Sequence, residues 1–262
     1  MVPLPFDLPD DQFDRRLRKI NGALITGGGV DLTKLDSPYM VAASKLLNFS
    51  EAAWANGKEV WPLWGTCMGM QVLSILGAAD SSVLLSEAYD SEQLMLPLSL
   101  TEHASTSRVL CRDCLAFDTV HELTTRSLTV NLHHDGVEPS SFAPGTSLGA
   151  RFKVVSQNVD RKGKPFASTI ETTLPGGAFI VGTQWHPERN QFEYYGNGSA
   201  ATDFIDHSEH AILAMHAVAV RLVGAARLNQ RSFADFDEEA KALIYNENPV
   251  GDAATGYAAY FF

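Results

Sequence analysis

The pentapeptide Gly65-Thr66-Cys67-Met68-Gly69 sets a thiol between two glycines, each two residues away, with an apolar run before it and a helical pattern after it. This spacing suits a nucleophile on a sharp strand-to-helix turn, because the neighbouring backbone passes too close for side chains at the flanking positions. A cysteine there sits at a helix N-terminus, where the dipole and free N–H groups favour negative charge on sulfur. A lone cysteine in an apolar stretch is more often a packing residue; the two glycines point to chemistry instead. The second candidate is His186, within Gln184-Trp185-His186-Pro187-Glu188. A carboxylate two residues on can turn back to the ring, hold one tautomer and stabilise the imidazolium. His-Pro-Glu alone would read as a surface turn. Beside the cysteine elbow it predicts acyl transfer through Cys67, with His186 as acid/base and Glu188 behind it.

Acyl transfer also needs donors aimed at the oxyanion. The triplet Gly27-Gly28-Gly29 can supply one N–H, with Gly28 and Gly29 as candidates, and Met68, just after the nucleophile, can supply another. No Lys-Ser/Thr follows the triplet at the spacing of a phosphate loop. Three cysteines leave at least one thiol free in any pairing, and Cys67 is assigned that role. Cys111-x-x-Cys114 has no second pair and no histidine pair at metal spacing, so it reads as two packing cysteines or a local disulfide. Neither a metal nor an organic cofactor is expected.

These residues need elements to hold them. Residues 20–26 (INGALIT) form an apolar run too short for a helix, closed by the glycines, and read as a buried strand. Apolar residues recur at helical spacing over 39–56, with Gly57 as the stop, and a short strand follows at 60–64. A helix after Cys67 is expected to stop at Gly77. Across 80–175 short apolar runs at 83–85, 94–98 and 127–132 suggest further strands between polar turns. Residues 178–184 read as a buried strand delivering His186, and Ser208 or Asp206 caps a long helix through Met215 and Leu222. The aromatic residues 257–262 suggest a docked C-terminal segment. Strands alternating with helices, with reactive residues just after strand ends, predict one α/β domain over 1–262 with its site at the carboxyl edge of an open sheet.

The 262 residues suffice for a sizeable core, and 45% hydrophobic with 19% charged residues is the composition of an ordinary globule. A net charge of −11 argues against nucleic acid, since the densest basic cluster is the short Arg161-Lys162-Gly163-Lys164, which reads as a turn. No run of 18 apolar residues suggests a membrane span. The opening residues lack the basic start and apolar centre of a signal peptide, which taken literally indicates the cytosol.

The Gly-rich loop, Gly-x-Cys-x-Gly and Gln-Trp-His-Pro-Glu, in that order, resemble the class I glutamine amidotransferase-like superfamily, and within it the gamma-glutamyl hydrolases. The matching segments are 20–32, 46–50, 62–69, 131–139, 184–188 and 241–245, spread over nearly the whole chain. The resemblance implies a three-layer open sheet, flavodoxin-like and mostly parallel, with helices on both faces. It implies a Cys67–His186 pair with Glu188, folate poly-gamma-glutamate as substrate, and a homodimer. His133 falls where the family has a substrate-assisting histidine, though a satisfied core or loop histidine is an equal reading; His134 is the less favoured neighbour. The chain reads as lacking the family's first strand-helix unit. The sequons at Asn48 and Asn197 suit a secretory product, and the family implies a lysosomal, vacuolar or extracellular destination. Gln71 is more usual in glutamine amidotransferases, where it lines the glutamine pocket, so a glutaminase subunit serving a separate synthase stays open, as does an inactive, truncated homologue.

Overall fold

The computed structural model describes residues 1–116, 118–193, 204–251 and 258–260. Helix α1 (Asp10–Leu17) carries Asp10 and Asp11 in its first turn and Arg15 and Arg16 in its last, the charge order a helix dipole favours. Strand β1 (Ala23–Ile25) runs into the Gly-rich loop. Helix α2 (Pro38–Gly57) begins where the Ser37 side chain accepts from Met40 N, with Pro38 in the first turn, and ends at Gly57 as its sequence indicates. Strand β2 (Leu63–Thr66) leads through Cys67 into helix α3 (Met68–Ala78). This helix runs through Gly77, expected as its stop. A Cβ on Gly77 would lie 2.8 Å from the Phe152 ring, so that glycine makes room for packing, and the left-handed Ala79 ends the helix.

The middle of the chain holds β3 (Leu94–Leu96), β4 (Ser99–Leu100), α4 (Thr119–Thr125), β5 (Thr129–Asn131), α5 (Ser147–Arg151), β6 (Phe152–Val159) and β7 (Pro165–Thr172). The run at 83–85 is not a strand: Asp80 accepts from Ser82 N and winds Ser81–Val83 into a 3-10 turn, leaving Leu85 one isolated bridge to Gly136. The basic cluster is the turn of the β6–β7 hairpin, with Gly163 at φ 80° and the Asp160 carboxylate accepting from Lys162 N and Lys164 N. Strand β8 (Ile180–Thr183), helices α6 (Arg189–Phe192), α7 (Glu209–Ala226) and α8 (Phe236–Ala242), and the short pair β9 (Val250–Gly251) and β10 (Ala258–Ala259) complete the order. Ser208 is the cap of α7, accepting from Ala211 N, while Asp206 accepts from Ser208 N.

The main sheet has the order β1-β2-β8-β7-β6-β4. Its parallel part is β1, β2 and β8; from β8 outward β7, β6 and β4 pair antiparallel. Strand β1 is the edge, with Leu24 45% exposed. The period of two along β2 and β8 divides the core. Leu63 and Ile180 face Met40, Leu47, Met70 and Leu73 of α2 and α3. Trp64 and Val181 face Leu123 of α4 and Met215 and Val218 of α7. Each such side chain contributes about 1.5–3 kcal/mol of burial. Helix α7 is long and apolar enough to cross a bilayer by length and composition, but its Ala211, Ala214, Met215 and Val218 are buried in this second layer.

Candidate active site

The turn between β2 and α3 is strained where the sequence places its nucleophile. Cys67 has φ 53° and ψ −110°, a conformation non-glycine residues rarely hold, and its N–H donates to Thr183 O at 2.7 Å, pinning the turn to β8. A Cβ on Gly65 would sit 2.5 Å from the carbonyl of Gly69, and one on Gly69 would sit 2.3 Å from Ile25 O. Both neighbours are backbone, so neither glycine tolerates a side chain without the elbow opening. The Cys67 carbonyl accepts from Met70 N and Gln71 N. Helical geometry leaves the N–H groups of Met68 and Gly69 without an intrahelical acceptor, beside Cys67, which is only 6% exposed.

Parallel pairing with β2 puts the end of β8 next to that elbow. His186 N donates to Val130 O, and its ring, 4% exposed, donates from Nδ1 to Glu188 Oε1 at 2.7 Å. Its Nε2 is buried without a hydrogen-bond partner. A Cβ built on Gly27 would lie 2.9 Å from His186 Cε1 and 3.5 Å from Cys67 Cβ, so one glycine touches both side chains. Burial alone would depress the imidazole, but the Cys67 sulfur and the Glu188 carboxylate outweigh it and raise His186 to about 10. Glu188 itself is held below its ordinary value: burial opposes this, and the hydrogen bond and charge of His186, with Arg189 beyond, prevail. The arrangement can carry a thiolate–imidazolium pair with a carboxylate behind it.

The Gly-rich loop closes over the pair with Gly27 closest. Gly28 abuts Met68, whose Cε would be 2.9 Å from an added Cβ, and Val30 N contacts Met68 Sδ at 3.3 Å. Nothing lies within 4 Å of the Cβ position of Gly29, which faces open space. Gly28 and Met68, two of the candidate donors, thus meet beside Cys67, while Gly27 rather than the candidate Gly29 takes the position closest to the pair.

His133, just after β5, is also brought to the site. It is 4% exposed, and its Nδ1–H donates to Asp135 O at 2.9 Å, which leaves Nε2 as a bare, buried acceptor without a partner. Burial lowers this imidazole to about 4, with the nearby His186 charge adding to the effect and the Asp135 hydrogen bond opposing it. His133 is therefore neutral at pH 7. His134 lies away from the pair: its ring reaches Tyr89 O and Glu92, and half of it is exposed.

Two residues link these pieces that hydropathy does not mark. Gln184 Nε2 lies 3.6 Å from Cys67 Sγ, and Gln71 Nε2 donates to both Gln184 Oε1 and Asp135 O. Elsewhere, Cys111 and Cys114 form a local disulfide with Cα atoms 5.1 Å apart, leaving Cys67 as the free thiol. Among the described residues no cluster of His, Cys, Asp and Glu could hold a metal ion. Asn48 is exposed on α2, whereas Asn197 and, of the 257–262 segment, Tyr257, Phe261 and Phe262 lie outside the described residues. An apolar hollow of about 210 Å³ reaches Gly27 and Glu188 from the α7 side but does not include Cys67.

Residues 4–194 match the family described as glutamine amidotransferase class-I. The chain is 31% identical to a gamma-glutamyl hydrolase of Mus musculus over 264 residues, covering 100% of this chain and 78% of that protein. It is 31% identical to a gamma-glutamyl hydrolase of Homo sapiens, again with 100% and 78% coverage, and 31% identical to gamma-glutamyl hydrolase B of Dictyostelium discoideum, with 95% and 68%.

Proposed function

Since the chain belongs to the class-I glutamine amidotransferase family and, within it, to the gamma-glutamyl hydrolases, we propose that it hydrolyses the gamma-linked isopeptide bonds of folate poly-gamma-glutamates. The observation that carries the mechanism is the strained Cys67 at the start of α3, beside a buried His186 whose Nδ1 is held by Glu188. Cys67 Sγ attacks the gamma-carbonyl carbon and forms a C–S bond. N–H groups of Met68 and the Gly27–Gly28 loop stabilise the oxyanion, and Nε2–H of His186 passes its proton to the departing amine as the C–N bond breaks. Water then attacks the gamma-glutamyl thioester, His186 takes its proton, and the C–S bond breaks to restore the thiolate. Neutral His133 offers Nε2 as an acceptor for a substrate N–H. No metal or organic cofactor enters these steps.

The glutaminase reading loses its particular support here, because both hydrogens of the Gln71 amide are engaged by Asp135 O and Gln184 rather than free for a substrate. An inactive homologue is disfavoured by the presence of all three members of the constellation. A secretory route is consistent with exposed Asn48; Ser50 of that sequon is buried and donates to Trp61 O, so a glycan there is added before α2 folds, and an endoglycosidase mobility shift tests it. The deciding experiment is hydrolysis of a pteroyl-poly-gamma-glutamate by the protein and by Cys67→Ala, with free glutamine as competing substrate. Cleavage abolished in the variant is expected; glutamine turnover in preference to the gamma-linked substrate, or cleavage surviving in Cys67→Ala, would sink the proposal.

A further inference from the structure

The buried amides beside Cys67 form a directed chain. Asp135 O is a fixed acceptor, so Gln71 must present its NH2 to it, and the same nitrogen donates to Gln184 Oε1 at 3.3 Å. Turning the Gln71 amide over would set its oxygen against two carbonyl oxygens. With Gln184 Oε1 thereby committed as acceptor, its Nε2 must face the other way, and what it faces is Cys67 Sγ at 3.6 Å, within the range of an N–H···S contact. Gln184 is 0% and Gln71 5% exposed, so both amides are shielded from bulk water. The same Asp135 carbonyl receives Nδ1–H of His133, and one backbone oxygen thus fixes both the amide chain and the histidine tautomer.

We propose that Gln184 is a catalytic hydrogen-bond donor to the Cys67 thiolate, aimed by Gln71 as its positioning residue. The oxyanion donors act on the substrate oxygen; this contact acts on the sulfur, in the free enzyme and again when the thioester breaks and sulfur departs as an anion. A hydrogen bond to an ionised partner is favoured over one to a neutral partner, and in a water-excluded site the preference is larger. Among the described residues, the titratable group that acts on the sulfur is His186, with Glu188 behind it, while the neutral His133 is tied to the amide chain through the Asp135 carbonyl. The Gly27–Gly29 loop and the first turn of α3 bring none. A neutral donor here adds to the thiolate's stability without competing for the proton that His186 carries.

The inference rests on Cys67 as the nucleophile, yet it can be read apart from turnover. Cys67 is the thiol outside the disulfide, so its alkylation by iodoacetamide, followed by mass spectrometry, reports the thiolate directly. The full chain, Gln184→Met, Gln184→Glu and Gln71→Met are compared across pH. Alkylation of Gln184→Met at pH 6 is expected to be about tenfold slower than in the unaltered chain, with the difference recovered at higher pH. Gln184→Glu, of the same size, slows further because a carboxylate then faces the sulfur, and Gln71→Met loses less, in the same direction, because the Gln184 amide is free to turn. With a gamma-glutamyl substrate the loss falls on kcat rather than KM. A packing role alone would lower thermal stability without moving the pH profile. A folded Gln184→Met with an unchanged alkylation profile overturns the proposal, and if that variant does not fold, the same result for Gln184→Glu does so. Failure of the nucleophile assignment is separate and appears as hydrolysis that survives Cys67→Ala.

Discussion

Replacing Glu188 by Gln keeps a hydrogen-bond acceptor for His186 Nδ1–H but removes its charge. A hydrogen bond to an ionised partner contributes roughly 1.5–3 kcal/mol and a neutral one roughly 0.5–1.5. The Glu188 side chain is 48% exposed, so solvent screening places the difference at the low end, about 1 kcal/mol. That is about fivefold in kcat/KM for the step in which His186 donates its proton, and a fall of somewhat under one pH unit in the basic limb, which His186 sets at about 10. Because the folded state raises this imidazole above its unfolded value of about 6.5, its stabilisation is fully present below pH 6.5 and is lost as pH rises through about 10. The variant should therefore be less stable than the parent at pH 6 and indistinguishable from it above pH 10. The assay is a pH–rate profile of gamma-glutamyl hydrolysis paired with melting temperatures at pH 6, 8 and 10. A basic limb and a stability difference that both stay put in Glu188→Gln would refute the coupling of Glu188 to His186.

Gly69→Ala drives a Cβ to 2.3 Å from a backbone oxygen of β1, so it should cost about 3 kcal/mol, the upper range for overpacking, and lower Tm by about 6–12 °C with loss of activity; calorimetry checks this. His133 is neutral in the fold down to about pH 4, so stability should fall on acidification from pH 6.5, by about 2 kcal/mol at pH 5. His133→Leu should flatten that loss in urea titrations at pH 7 and 5 and raise KM. Reducing Cys111–Cys114, which closes a loop of separation 3, should cost no more than about 2 kcal/mol, read as a Tm decrease with the alkylation rate of Cys67 unchanged.

The elements that carry the chemistry were legible because their physics is local. The strands near residues 60–66 and 178–184 are buried on both faces and so appear as apolar runs, whereas the strand within 20–26, read from the sequence as buried, is the sheet edge with Leu24 exposed; the glycines around Cys67 report the backbone contacts that exclude a side chain. The β6–β7 hairpin was not legible, although its strands are the longest in the main sheet. It buries Ser156, Asn158, Ser168, Thr169, Glu171 and Thr172. These polar groups satisfy one another across the strands, as in Ser156 Oγ to Thr169 Oγ1 at 2.8 Å and Ser168 Oγ to Asn158 Oδ1 at 2.6 Å. Glu171 is completed by Ser107 and the N–H groups of Arg108 and Val109 from a distant segment.

Hydropathy scores such residues as surface, because the partner that makes burial affordable lies on the facing strand, 10 or 13 positions along the chain, or for Glu171 62–64 positions away. Gln71 and Gln184 are the same case at the site, 113 positions apart and meaningful only as a pair. A motif shows which atom reacts, because the backbone strain that presents it is written within five residues. The side chains that tune that atom are written wherever the sheet brings two strands side by side. Here β2 and β8 are parallel neighbours, so Cys67 at the end of one and Gln184 at the end of the other are placed together by register alone, Thr66 against Thr183. The register that delivers His186 to Cys67 therefore delivers Gln184 as well, which is why the amide facing the sulfur comes from the strand that carries His186.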